Sequence, residues 1–169
     1  EKEGRLKVFM DSSYRSIIDL WSFGHDIEAS WLIDWAAEVL GDEEIKEEIF
    51  SIDETLSRRV YEEGRGEKWL KSERENGVDN LTATWWGQCE AVEGFLNHWK
   101  KTGEEKYLKA AETVFTSIME DFIDKREGGE MHSEILPDGK VGDRAQVELW
   151  KGPYHDGRMC IEILRRYGE

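Results

Sequence analysis

Apolar residues fall at helical spacing in five stretches of this chain, separated by polar and turn-forming residues. Ile27, Trp31, Leu32, Trp35, Ala36 and Val39 predict a helix from Ile27 to Leu40, stopped by Gly41. Ile45, Ile49, Ile52, Leu56 and Val60 form one stripe from Glu43 to Glu62, with Gly64 ending it. The two elements predict an antiparallel helical hairpin. A third helix begins between Thr82 and Trp85, carries Trp86, Ala91, Val92, Phe95, Leu96 and Trp99, and stops at Thr102-Gly103. A fourth runs from Glu104 to about Lys125 with Tyr107, Leu108, Ala111, Val114, Phe115, Ile118 and Phe122 inward. The fifth, from about Tyr154 to Tyr167, is expected to use Cys160, Ile161 and Leu164 as its core face.

Between the hairpins the period changes. Lys68 to Arg74 reads as extended, with Glu75-Asn76-Gly77 as a turn, and Arg126 to Pro153 is again extended around Pro137-Asp138-Gly139. Arg5 to Phe23 is β-favouring and interrupted by Asp11-Ser12-Ser13, which predicts two brief strands around a turn leading into the first helix. Arg5 to Asp11 reads as a strand with no element before it to pair against, and the first residue is Glu1, so a chain cut at its N-terminus is expected. Helix, tight turn, helix and long extended loop repeat over a period in the range of helical-pair arrays. The fold expected is all-α: part of an α/α toroid whose long loops and helix starts share one functional face.

A length of 169 residues suits one domain, 1–169. The net charge of -15 argues against nucleic acid or an anionic membrane surface as partner, because phosphate neutralisation needs clustered Lys and Arg. Neutral substrates fit better, and the 8 Trp residues supply flat apolar faces suited to a core or to a carbohydrate platform. No apolar run approaches the ~20 residues that span a bilayer, and no secretory signal opens the sequence. Cys89 and Cys160 both lie in helical patterns, which points to a reduced, cytoplasmic setting.

The candidate chemistry sits near the helix starts. His25 and Glu28 are three apart, so the carboxylate can share a face with the imidazole; the alternative is that Asp26 and Glu28 only favour the helix N-terminus. His155 follows Trp150 and Pro153 and precedes Gly157 and Arg158, at the opening turn of the fifth helix. Histidine titrates near pH ~6.5 when unperturbed, as a proton shuttle at neutral pH requires. Trp86 and Glu90, four apart, combine an aromatic face with an acceptor for hydroxyls, or else belong to a Trp-rich core with Glu90 paired to an Arg. His98 reads as an exposed surface residue and His132 as a loop histidine. No spacing suggests a zinc or calcium site, and no glycine-rich phosphate loop is present.

Taken in order, Gly24-His25-Asp26-Ile27-Glu28-Ala29-Ser30-Trp31-Leu32, Trp85-Trp86-Gly87-Gln88-Cys89-Glu90-Ala91 and Trp150-Lys151-Gly152-Pro153-Tyr154-His155-Asp156-Gly157-Arg158 resemble the signature segments of the N-acylglucosamine 2-epimerase superfamily, and within it the cellobiose 2-epimerases. The resemblance implies the C-terminal half of an (α/α)6 toroid. It implies inversion at C2 of the reducing-end sugar of a disaccharide such as cellobiose, through a cis-enediol, with no metal or nucleotide cofactor. It makes His25 and His155 the two proton-transfer residues and has Glu28 orient His25. Trp86 and Trp150 would pack on the sugar rings and Glu90 would bond hydroxyls or support the acid/base network.

Gly87 stands where the family usually has Pro, Gly152 where Cys is frequent and Asp156 where Asn is common. The family's N-terminal half supplies an arginine, further aromatics and a third histidine for ring opening, none of which is matched here. Half a toroid leaves open apolar flanks, so a homo-oligomer or association with the other half is expected. Two other functions stay open: a carbohydrate-binding or assembly module without turnover, and an aldose-ketose isomerase of the same superfamily.

Overall fold

The computed structural model of the protein describes residues 4–168. The helices are α1 (Phe23–Leu40), α2 (Glu43–Arg59), α3 (Trp85–Thr102), α4 (Glu105–Ser117) and α5 (Tyr154–Tyr167). Both α2 and α4 run on into one π-helical turn, Val60–Gly64 and Ile118–Phe122. This repeats the hairpin in structure where no residue-level repeat exists.

The tight turns follow from local chemistry. Gly41 takes the left-handed conformation at φ 74° and donates its N–H to Ala37 O, and Asp42 then caps α2 by accepting from the Glu44 and Ile45 amides. Gly103 at φ 71° closes α3 in the same way. Asn76 and Gly77, both at positive φ, form the turn between β2 (Glu73–Glu75) and β3 (Val78–Asn80).

Strands set the starts of two helices. β1 (Leu20–Ser22) pairs antiparallel with β2, with Ser22 opposite Glu73, and passes directly into α1. β4 (Ala83–Thr84) pairs with β5 (Glu134–Ile135) and passes directly into α3. α1, α3 and α5 form an inner row with α3 in the middle, while α2 covers α1 and α4 covers α3. A Cβ added to Gly24 would lie 2.5 Å from the Trp86 ring, and one added to Gly94 would lie 2.5 Å from Ile27 Cγ1 and 2.9 Å from Ile27 O. Early residues of α1 meet early residues of α3, and later meet later, so the two helices run parallel. The core collects Trp21, Phe23, Trp85, Phe95, Tyr107 and Phe122 around this seam. No described helix is long and apolar enough to cross a membrane.

Several expectations are corrected. α1 starts at Phe23 rather than Ile27, because Ser22 caps it; Phe23 lies one turn before Ile27 on the buried stripe that continues to Trp31. Residues 5–11 form no strand; a single bridge joins Met10 and Ser16. The predicted core face of α5 is turned outward: Cys160 is exposed, Ile161 is 63% and Leu164 72% exposed, while Met159 and Glu162 are buried. α5 docks through Met159 and Ile163 together with polar side chains, Arg166 Nη2 donating to Asn97 Oδ1 at 2.7 Å, and apolar periodicity registers only the first two. His98 is fully buried, 3.4 Å from Asp53 Oδ2 and edge-on to Tyr107, because α2 and α4 both pack over that part of α3.

Two outcomes are expected. Gly94→Ala presses a methyl group onto Ile27, including its backbone oxygen, and should lower stability by ~1–3 kcal/mol in urea denaturation. Glu93 is buried between α3 and α5 with no hydrogen-bond partner on its carboxylate among the described residues, and burial raises it to about 8 despite Arg166. In the unfolded chain a Glu ionises near pH ~4.3, so in between the native state holds a proton that the unfolded state has released. Stability should fall as pH rises from that value to about 8 and level off above it. Glu93→Gln should flatten this decline in urea midpoints measured from acid to alkaline pH.

Candidate active site

Three aromatic side chains meet where the inner helices begin. His25 lies in the first turn of α1, Trp86 is the second residue of α3 and His155 the second of α5. The Trp86 ring centroid lies 4.8 Å from that of His25 and 5.6 Å from that of His155, so one indole bridges the two imidazoles. Gly24 makes this possible, since a side chain there would occupy the space of the indole.

Each imidazole is tied through Nδ1. His25 Nδ1 lies 2.6 Å from Ser22 Oγ, and His155 Nδ1 lies 2.6 Å from Glu90 Oε1. Glu90 is 1% exposed, and its other oxygen accepts from Trp31 Nε1 at 3.0 Å. Arg158 Nη2 donates to Glu90 Oε1 at 2.6 Å and to Glu28 Oε1 at 2.7 Å, with the guanidinium over the rings of Trp31 and Tyr154. Glu90 is therefore paired to an arginine, the second of its two sequence readings, and it also bonds His155. Glu28 differs from expectation: its carboxylate engages Arg158, and Ser22 is the partner of His25. Asp26 turns inward to accept from Trp21 Nε1 and the Leu6 amide, and burial raises it to about 7.

Glu28, Glu90 and His155 bring potential ligand atoms within 4.8 Å of one another, a set that sequence spacing does not reveal because it draws on three helices. The Arg158 guanidinium already supplies positive charge to both carboxylates. Trp150 projects from the hairpin in which Glu148 and Lys151 exchange backbone bonds, and is 82% exposed. Beneath it Lys151 is fully buried, paired with Glu130 and 5.3 Å from the Trp85 ring centroid. Trp150 thus stands out to solvent while Trp86 lies between the histidines. His132 is half-buried in the loop, its amide bonded to Phe122 O, and His98 lies in the core; neither joins the cluster.

Ser22, Trp31 and Arg158 are the members that residue-by-residue reading passes over. Each had a local signal. Ser22 precedes His25 by three, the cap-to-first-turn spacing, and Trp31 and Arg158 follow Glu28 and His155 by three, one turn along the same face. Arg158→Met should leave two adjacent carboxylates without their cation and cost ~3–5 kcal/mol. Adding Glu28→Gln to that variant should recover part of the loss, as read from thermal unfolding.

The N-acylglucosamine 2-epimerase (GlcNAc 2-epimerase) family model matches residues 7–155. A cellobiose 2-epimerase of Eubacterium cellulosolvens is 45% identical over 161 residues, 95% of this chain and 40% of that protein. A cellobiose 2-epimerase of Ruminococcus albus is 43% identical over 162 residues, 95% of this chain and 42% of that protein. The crystal structure of a sugar epimerase from a ruminal bacterium superposes with a TM-score of 0.96 at 41% identity, over 99% of this chain and 43% of that one. This chain spans less than half the length of these relatives, and its two helical rows are a partial (α/α)6 toroid. On the family match across the three helix starts and the structural match over nearly every residue, the chain belongs to the N-acylglucosamine 2-epimerase family.

Proposed function

We propose that this chain carries the proton-transfer part of a sugar epimerase site, inverting C2 of the reducing-end sugar of a disaccharide such as cellobiose. The observation that carries this reading is the pair of imidazoles on either side of Trp86, each held through Nδ1 and each with Nε2 unbonded among the described residues. In the ring-opened sugar the C1 carbonyl acidifies the C2 proton. One histidine takes that proton, the C–H electron pair forms the C1–C2 double bond, and O1 takes up the carbonyl electrons and a proton to give a cis-enediol. The other histidine gives a proton to the opposite face of C2 as the C1 carbonyl re-forms and O1 releases the proton it took up, so one epimer replaces the other with nothing consumed.

Glu90 suits this role for His155. It holds the Nδ1 proton in place and stabilises the imidazolium when Nε2 takes up another, while Trp31 and Arg158 meet its remaining hydrogen-bonding demand. Glu28 acts through Arg158. Trp86 is the floor for the reacting sugar, and exposed Trp150 is a platform for the second ring. Ring opening and the remaining pocket wall belong to the part of the relatives' length that this chain does not span. The free cysteines Cys89 and Cys160 fit a cytoplasmic enzyme. The outward Ile161 and Leu164 face is read as covered by a second copy or by the remaining helical hairpins.

The short coverage of the relatives favours one second reading, a carbohydrate-binding or assembly module. Proton NMR of cellobiose with this chain in deuterated buffer separates the two. The epimerase reading expects loss of the C2 proton signal and growth of the epimer, at least ~10²-fold slower in His155→Ala and in His25→Ala. Sugar binding without exchange, in a folded chain, would favour the module, and a ketose product would favour an aldose-ketose isomerase. Light scattering is expected to show a homo-oligomer that dissociates when Ile161→Lys and Leu164→Lys are combined.

A further inference from the structure

We propose that Ser22 is the positioning residue of His25: its Oγ accepts a hydrogen bond from His25 Nδ1–H, fixing ring and tautomer so that Nε2 is the nitrogen presented to a ligand. The inference rests on the reading of His25 as a proton-transfer residue.

Ser22 is well placed to act as a rigid support. It is the last residue of β1, held opposite Glu73 in the sheet, and it is buried. Its extended backbone, at φ -95° and ψ 107°, is the N-cap conformation, and it aims Oγ at the first turn of α1. Oγ lies 2.6 Å from His25 Nδ1 and 3.5 Å from the His25 amide N. A serine oxygen has two lone pairs, enough for the ring N–H and the amide N–H together. Trp86 closes the ring from another side at 4.8 Å. In a capping box the side chain at this helical position reaches back to the cap residue. Here an imidazole makes that return contact, so the motif that starts the helix also aims the base.

The direction of the bond follows from the chemistry. A neutral imidazole that is to take a proton on Nε2 must carry its own proton on Nδ1. With Ser22 as donor, the ring proton would sit on Nε2 and the lone pair would face the serine, leaving nothing to receive a proton from C2. Ser22 thus does for His25 what Glu90 does for His155, with a neutral oxygen in place of a carboxylate.

The test is a long-range ¹H–¹⁵N correlation spectrum of the His25 ring in this chain, at a pH where the ring is neutral. Expected are a protonated Nδ1 and an unprotonated Nε2 in the wild type. Ser22→Asp keeps the cap and can only accept, and should show the same pattern; Ser22→Ala should move toward the tautomer mixture of a free imidazole. A wild type protonated on Nε2 that switches in Ser22→Asp, or a Ser22→Ala spectrum identical to wild type, would overturn the proposal. If Ser22→Ala fails to fold by its amide spectrum, the comparison of wild type with Ser22→Asp decides alone. The tautomer is read without turnover, so a missing C2 exchange alongside an Nδ1–H ring would favour the non-catalytic module for this chain and leave the role of Ser22 standing. Where exchange occurs, Ser22→Ala should lower kcat ~10-fold at unchanged KM, with Ser22→Asp recovering it.

Discussion

A carboxylate buried to 1% exposure is costly unless its hydrogen-bonding demand is met in full, and the inner row of this fold is arranged around meeting it for Glu90. The donors come from both flanking helices: Trp31 from α1, and His155 and Arg158 from α5. All three come from helices other than α3, so satisfying one side chain ties together three helix starts. Arg158 brings its own charge into the same space, and Glu28 balances it. The result is a polar joint at the end of the molecule where the imidazoles lie, stiff because every member is engaged with another.

Further along the row, the joint between α1 and α3 is made differently. Gly94 lets Ile27 approach the backbone of α3, and Asn97 Nδ2 reaches Asp34 Oδ2 at 3.0 Å while Lys101 pairs with Asp34 and Glu38. α5 follows by its polar edge, through Arg166. The inner row is thus joined by glycine contacts and buried polar bonds as well as by the apolar core that Ile27, Ala91, Phe95 and Met159 share. That leaves the apolar side of α5 facing outward, in a fold that forms only part of the toroid of its relatives.

Placement of the chemistry on strand-to-helix junctions explains how the site can be geometrically defined without a long rigid loop. β1 runs straight into α1 and β4 straight into α3, so His25 and Trp86 each sit within three residues of a paired strand. Among the described residues no strand runs directly into α5, and His155 is held by Glu90 instead. Trp150, beyond these supports, is carried by a small hairpin over buried Lys151.

The five described helices, the Gly41 and Gly103 stops and the Asn76-Gly77 turn were legible in the sequence, because apolar period and left-handed turn residues act locally. The motifs around His25, Trp86 and His155 were legible too, as residue types at helix starts. Tertiary structure alone decided which carboxylate serves which imidazole. Glu28 is three residues from His25 yet bonds Arg158, 130 positions away, and Glu90 reaches His155 across 65. It also decided that His98 is buried and that α5 turns Ile161 and Leu164 outward. The physical reason is common to all of these. Periodicity reports how apolar a face is, whereas buried hydrogen bonds and ion pairs choose among faces by partners that lie far away in the chain.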